Sequence, residues 1–455
     1  MPHSRSLASA SAGPVPRQQR IQSLDVARGI AVLGVLLMNI WAFAGPQAFF
    51  DYPPAIAERA GAPVQTWAVI HTLFEGSQRT LLSILFGAGA LLVISRFEQP
   101  GQPGSARGIY YRRTLGLILL GLVNASLFLW PADILFAYGL AGLCLYPLRR
   151  LGTPALLGII LVALTVPAIM RGLETSRLIA AETASAVARA ARKPGDELTE
   201  PQRQALRDWD AALKKARPSV ADPETLAGIR TMQSGTLAQV AARQATSSLI
   251  LETIVTVRWW FLDALAMMII GMVLCRLGIF TPAGLTSRYP QRLAAVLLVG
   301  LPLAAWQTAS LLATNFHPVQ VEIVKLSYDV RRLAMGLGYL GLILLFCRSS
   351  AGWALKSRLA AAGRMALTNY LAQSILCACI FYSFGLGLYG RVTGYQLYVV
   401  VAGVWALELA WSGWWLQRFQ IGPFEWLWRS FTYRRWQAWR ASPVAATRTV
   451  SEAAR

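Results

Sequence analysis

Three acid–base pairs stand at helical spacing beside long apolar runs. Asp25 and Arg28 are three residues apart, Glu75 and Arg79 four apart, and Asp329 and Arg332 three apart, with Arg331 adjoining. Side chains at these offsets share a helix face and can neutralise each other. Two further acids, Asp263 and Glu408, lie inside apolar stretches. A charge at bilayer depth costs roughly 2.5–3.5 kcal/mol on insertion scales, so such groups are paired or face a cavity. His71 lies four residues before Glu75, and an imidazole beside a carboxylate is a candidate general base. These residues could therefore carry proton transfer, with His71 as base and Glu75 orienting it, and the binding of charged groups. No metal site is expected. The histidines His3, His71 and His317 are far apart, and Cys144, Cys275, Cys347, Cys377 and Cys379 have no zinc-site spacing. His317, just before Pro318, reads as solvated.

Composition supplies the setting. Of 455 residues 55% are hydrophobic and 14% charged, with a mean hydropathy of +0.45. Soluble domains carry about 25% charged residues, so this chain cannot clothe a water-facing surface, and a lipid bilayer is the expected partner. The net charge of +21 raises nucleic-acid binding. The basic residues, however, sit in short loops between apolar runs rather than along one soluble face, and no nucleic-acid partner is expected.

Apolar runs at 26–44, 80–95 (extended upstream from His71), 114–130, 134–148, 154–170, 259–280, 293–313, 333–347, 365–388 and 397–416 predict an all-α polytopic membrane helix bundle of about ten transmembrane helices. Alternate short loops are basic, among them Arg112 and Arg113, Arg149 and Arg150, Arg288 and Arg292, and Arg358 and Arg364. The intervening loops carry residues such as Asp51, Asp133 and Glu322. Basic loops belong in the cytoplasm. The alternation therefore predicts a multi-pass protein of the bacterial inner membrane with both termini cytoplasmic. Residues 171–256, rich in Ala, Arg, Glu and Gln, predict a helical extracytoplasmic insertion of two or three helices. The expected organisation is a disordered basic tail at 1–22, helices one to five at 23–170, the insertion at 171–256, helices six to ten at 257–436 and a second tail at 437–455. In this topology His71, Glu75, Arg79, Asp133, Arg258, Asp263, Arg331 and Arg332 gather on the extracytoplasmic side, joined by Asn39 and Asn124. They are expected to share a polar cavity open to the outer leaflet. The small-residue run Phe86-Gly87-Ala88-Gly89-Ala90 predicts a close helix–helix approach.

Several motifs carry a family resemblance. They are Ser23-Leu24-Asp25-Val26-Ala27-Arg28-Gly29 continuing to Met38-Asn39-Ile40, then Leu82-Ser83-Ile84-Leu85-Phe86-Gly87, and Asp133-Ile134-Leu135. The C-terminal block Gly363-Arg364-Met365-Ala366-Leu367-Thr368-Asn369-Tyr370-Leu371-Ala372-Gln373-Ser374 closes with Gly422-Pro423-Phe424-Glu425-Trp426-Leu427-Trp428-Arg429. Together these resemble the YeiB-like family, a domain of unknown function, across nearly the whole chain outside the tail and the insertion. The Asp-x-x-Arg-Gly opening is also similar to that of membrane acyltransferases of the acyltransferase-3 and heparan-glucosaminide acetyltransferase type. That resemblance implies acyl transfer, with a histidine near the outer end of the early helices. His71 is the comparable histidine here, and Asn124 stands where the YeiB-like resemblance leads one to expect another.

The leading expectation is an acyltransferase-like protein that modifies an envelope glycan, a lipid or a small-molecule acceptor. It would hold no bound cofactor and would use acyl-CoA as donor. Arg28 and Arg364 would bind the donor phosphates, since guanidinium suits phosphate. Asn39 and Asn369 would line the path, with Gln373 in the same block. The alternative is a transporter or exporter of a small solute, with Asp263, Glu408, Arg331 and Arg332 as substrate or proton sites.

Overall fold

The computed structural model describes residues 22–56, 61–99, 105–191, 198–219 and 221–440. The two expected tails thus lie outside the described residues, apart from Gln22 and residues 437–440. Among the described residues there is no strand. Helix α1 is Gln22–Ala44, and the single turn α2 is Ala48–Asp51. Helices α3 (Ala62–Phe74) and α4 (Ser77–Phe97) follow, then α5 (Ala106–Ser126), α6 (Ile134–Leu148) and α7 (Thr153–Ala190). The insertion contributes α8 (Glu200–Ala216), α9 (Pro223–Ser234) and α10 (Leu237–Ile250). A π-helical stretch, Leu251–Trp260, joins α10 to α11 (Phe261–Arg276). Next come α12 (Pro282–Thr286), α13 (Tyr289–Ala295), α14 (Leu297–Ala313), α15 (Pro318–Leu326) and α16 (Tyr328–Arg348). The C-terminal region is α17 (Trp353–Arg364), α18 (Ala366–Phe381), α19 (Tyr395–Arg418) and α20 (Pro423–Tyr433).

Among the described residues, seven helical segments are long and apolar enough to cross a membrane: α1, α3 with α4, α7, α10 through α11, α13 with α14, α16 and α19. Their apolarity marks a membrane protein. The other apolar runs form α5, α6 and α18. Helices α6 and α18 have only 15 and 16 residues, and α5 carries Arg107, Arg112 and Arg113 in its first turns.

Glycine lets the central helices touch. A Cβ on Gly87 of α4 would collide with the Met268 carbonyl of α11, and one on Gly271 would collide with that of Ile84. The pair Gly29 and Gly363 does the same for α1 and α17, against Leu359 and Asp25 carbonyls. Close approach raises dispersion contact where lipid offers no hydrophobic driving force between helices. The expectation drawn from the 86–90 run holds at Gly87.

Two boundaries differ from the sequence reading. Helix α7 continues past Pro167 for a total of 38 residues. The sixth apolar run is the end of one helix of 40 residues that begins inside the insertion at Leu237. The wider π turns absorb extra residues without breaking the backbone ladder, and the Thr256 hydroxyl satisfies the Leu251 carbonyl at 2.9 Å. The insertion is bound to the bundle. Gln244 donates to the Leu129 carbonyl and the Tyr382 hydroxyl at 3.1 and 2.8 Å, and Gln233 donates to the Tyr389 carbonyl at 2.7 Å. It docks against the α5–α6 and α18–α19 connections. His317 is not simply solvated. Its Nε2 lies 3.3 Å from Glu182 of α7, and its ring lies against Trp209 of α8.

Substituting Gly271→Leu drives a side chain into the α4 backbone. Overpacking of this kind costs about 1–3 kcal/mol, and the expected outcome is a lower unfolding temperature of the detergent-solubilised protein, while Gly403→Leu, in open space on α19, leaves it unchanged.

Candidate functional site

A cavity of about 440 Å³ lies at the end of the bundle where α1 begins and α4 ends. Five arginines line it: Arg28, Arg96, Arg113, Arg364 and Arg429, from α1, α4, α5, α17 and α20. Two acids, Asp25 and Glu425, share the lining, so guanidiniums exceed carboxylates by three (5 − 2 = 3). Both acids are engaged. Asp25 holds Arg28 at 3.1 Å. Glu425 accepts from the Leu367 and Thr368 backbone N–H groups at 2.7 and 3.1 Å and from the Thr368 hydroxyl at 2.5 Å, which ties α20 to the start of α18. Arg113 lies over the Trp428 ring at 3.9 Å, and the Trp428 indole donates to the Arg113 carbonyl at 2.7 Å. Burial pushes the Arg429 guanidinium below its ordinary value, while Tyr433 and Glu425 pull it back up. An anion at this wall would relieve that cost. The remaining lining is largely apolar, including Leu82, Leu85, Phe86, Ala90, Val93 and Leu117. Tyr138 and Tyr370 also line it. Tyr138 hydrogen-bonds the Ser83 hydroxyl at 2.6 Å and donates to the Arg79 carbonyl at 3.1 Å. The arrangement suits a ligand with an anionic head and an apolar chain.

Of the residues expected from sequence, Asp25, Arg28 and Arg364 line this cavity, and His71, Glu75, Arg79 and Asp263 do not. Three of the residues expected on the outer side, Arg79, Asp263 and Arg332, meet in a packed ionic network. Asp263 contacts both Arg79, at 3.3 Å, and Arg332. Arg332 also holds Asp329 at 2.8 Å, and Asp329 holds Arg171 at 2.9 Å. Alternating charge offsets the desolvation that a lone buried ion would suffer. Arg258 joins Glu174 on α7 instead of this network. Asn39 is half-buried near the end of α1 and makes no hydrogen bond to any of these groups.

The expected pairs Asp25–Arg28 and Asp329–Arg332 form, but Glu75–Arg79 does not. Gly76 has φ +71°, in the left-handed region, so it breaks the helix between α3 and α4. Residues 75 and 79 no longer share a face. Glu75 instead accepts from the Tyr328 hydroxyl at 3.2 Å. Nor does Glu75 orient His71: the Nδ1 of His71 faces the Thr308 hydroxyl at 2.9 Å, and its ring stacks on Trp67 at 4.5 Å.

The other polar positions fasten helices together. Asp133 caps α6 by accepting from Phe136 N–H at 2.8 Å, and it also accepts from Asn124 at 2.8 Å and the Tyr370 hydroxyl at 3.1 Å. Asn369 donates to Ser412 at 3.0 Å and accepts from the Trp411 indole at 2.7 Å. Gln373 donates to Glu408 and to the Val32 carbonyl, both at 3.1 Å. Sequence reasoning assigned no binding role to Arg96, Arg113 or Arg429. Their shared placement depends on α20 folding back against α5. Among the described residues no cluster of His, Cys, Asp and Glu could hold a metal ion.

Asp263→Ala leaves Arg79 and the fully buried Arg332 facing each other without the acid between them. Breaking such a pair costs about 3–5 kcal/mol, so thermal unfolding is expected to drop sharply, whereas Asn39→Ala changes it within error.

Residues 274–435 match the family described as "Protein of unknown function (DUF418)". The chain is 28% identical over 421 residues to the "Uncharacterized protein YeiB" of Escherichia coli (strain K12), spanning 91% of this chain and 97% of that protein. It is 27% identical over 471 residues to the "Uncharacterized protein YxaH" of Bacillus subtilis (strain 168), spanning 94% and 98%. A further relative, at 23% over 429 residues, is the "Uncharacterized 39.9 kDa protein in amylase 3'region" of Bacillus acidopullulyticus, with 93% and 96% covered. No solved structure matches the chain. The C-terminal match and the end-to-end similarity to YeiB and YxaH support grouping this chain with the YeiB-like DUF418 proteins.

Proposed function

We propose that the protein is an acyltransferase-like enzyme of the bacterial inner membrane that takes a phosphate-bearing acyl donor, acyl-CoA in the first instance, into the arginine-lined cavity. The acceptor is an envelope glycan or a small molecule. One observation carries this reading: five guanidiniums from five different helices converge on one cavity whose remaining wall is largely apolar. Arginine forks match phosphate oxygens, and the apolar wall matches an acyl chain. The orientation follows from the alternation of basic loops over about ten spans, counting α5, α6 and α18 as crossings. It puts Arg28, Arg364 and Arg429 on the cytoplasmic side, where acyl-CoA is found, and the His71 region towards the outer leaflet. In the reaction the acceptor hydroxyl or amine attacks the thioester carbonyl, a base takes its proton, and the CoA thiol leaves. His71 is the proposed base, oriented by Thr308. The acyl group has to pass Tyr138, which stands between the cavity and Arg79.

Octanoyl-CoA binding to the purified protein tests the head-group recognition. Arg28→Gln and Arg429→Gln are each expected to weaken binding about tenfold, or ~1.4 kcal/mol. Octanoate binding as tightly as octanoyl-CoA would contradict it. Acyl transfer by His71→Ala at the wild-type rate would remove His71 from the mechanism.

A second reading, transport of a small solute, has a specific observation in its favour. Glu408 is fully buried in α19, and its Oε1 has no hydrogen-bond partner. Intramembrane acids mark ion and proton pathways in transporters. Substrate accumulation in proteoliposomes that is abolished by Glu408→Gln would favour transport over transfer.

A further inference from the structure

The small-residue run 86–90 puts its two glycines to different uses. Gly87 packs on α11, where a Cβ would collide with the Met268 carbonyl. Gly89 lies on the face of α4 that lines the cavity. Apart from its own helix backbone and its chain neighbours, a Cβ on Gly89 would have one neighbour within 4 Å, Nη2 of Arg28 at 4.0 Å. The space beside Gly89 is therefore part of the cavity. A side chain would enter it without moving any backbone, so close helix packing does not account for this glycine.

Gly89 sits in the middle of a stripe on α4 formed by Leu82, Leu85, Phe86, Gly89, Val93 and Arg96, all of which line the cavity. Spacings of three and four residues keep them on one helix face. Arg96 lies seven residues to one side of Gly89 and Leu82 seven to the other, about 10 Å each way at the helical rise. Between Leu82 and Val93, α4 brings no charged residue to the lining. Two other walls change character in the same direction. Helix α1 brings Arg28 and, one turn deeper, Val32; α5 brings Arg113 and, one turn deeper, Leu117. An apolar chain attached to a head on the arginines reaches the Leu82 end along the face that Gly89 leaves bare.

We propose that Gly89 is the specificity-determining position of this cavity. Its missing side chain keeps the arginine end and the apolar end joined, so the cavity prefers a phosphate that carries an apolar chain to one that does not. Burial of the chain supplies the preference, since each buried methylene adds to affinity. A larger residue at this position fills the passage beside Arg28 and leaves a site for the head alone. This preference rests on the cavity's being the place of an anionic head and an apolar chain, as proposed above.

The test is titration of the purified full-length protein, all variants in one detergent, with methyl phosphate and octyl phosphate. Wild-type protein is expected to bind octyl phosphate more tightly by about tenfold or more. Gly89→Leu should weaken octyl phosphate by about tenfold and leave methyl phosphate nearly unchanged. Gly89→Ala puts one methyl group in the same space and should weaken octyl phosphate by about threefold, which keeps the test decisive if Gly89→Leu fails to fold. Gly403→Leu, in open space on α19, should change neither affinity. Wild-type protein that binds neither phosphate contradicts the reading of the cavity, and the role of Gly89 falls with it. Where wild-type protein does prefer octyl phosphate, an unchanged preference in the Gly89 variants, or an equal loss of both ligands, overturns the role of Gly89 alone.

Discussion

The structure is organised around one compensated ionic network held away from water. Asp263 is the hub. One carboxylate meets Arg79 from α4 and Arg332 from α16, while Arg332 reaches on to Asp329 and through it to Arg171 of α7. Four helices are thus fixed by alternating charges. Coulomb attraction at low dielectric is strong, but it only offsets the desolvation of the ions when each has a partner in good geometry. Glycine contacts between α4 and α11 bring Asp263 within reach of Arg79, so the packing and the electrostatics depend on each other. The break at Gly76 frees Arg79 from Glu75 and turns it towards Asp263.

Much of this was legible in the residues. The pairs Asp25–Arg28 and Asp329–Arg332 follow from spacing alone, because both lie within unbroken helices. The close approach at Gly87 follows from the small-residue run. The Glu75–Arg79 pairing failed because a single left-handed glycine moves the second residue to another face, and spacing carries no information about the backbone at Gly76. The union of the sixth span with the insertion was hidden for a related reason: the polar composition of 237–256 masks a helix that continues unbroken through π turns. The cavity was hidden because its arginines come from α1, α4, α5, α17 and α20, hundreds of residues apart in part, and only the docking of α20 by Trp428 and Glu425 assembles them.

The molecule therefore divides its polar groups by how they are satisfied. At one end, arginines outnumber acids around an open volume, and Glu425 is consumed in holding α20 in place. In the middle, the Asp263 network is closed, with each charge answered by a neighbour. Beyond it, His71 is held by Thr308 and Trp67, and Arg331 and Glu75 keep unused valences. An open cationic cavity, a closed ionic layer and an unsatisfied polar group are different physical states of charge held away from water. Asp133, Asn124, Asn369 and Gln373 join helices through hydrogen bonds, and both amide hydrogens of Asn369 and of Gln373 are used.

The central claim is that the arginine-lined cavity receives the anionic head of an acyl donor. A structure determined in a lipid nanodisc with octanoyl-CoA tests it most directly. The account predicts phosphate density between Arg28, Arg364 and Arg429, with the chain running along Leu82, Phe86 and Leu117. An empty cavity under saturating donor, or phosphate density against the Asp263 network instead, would contradict it.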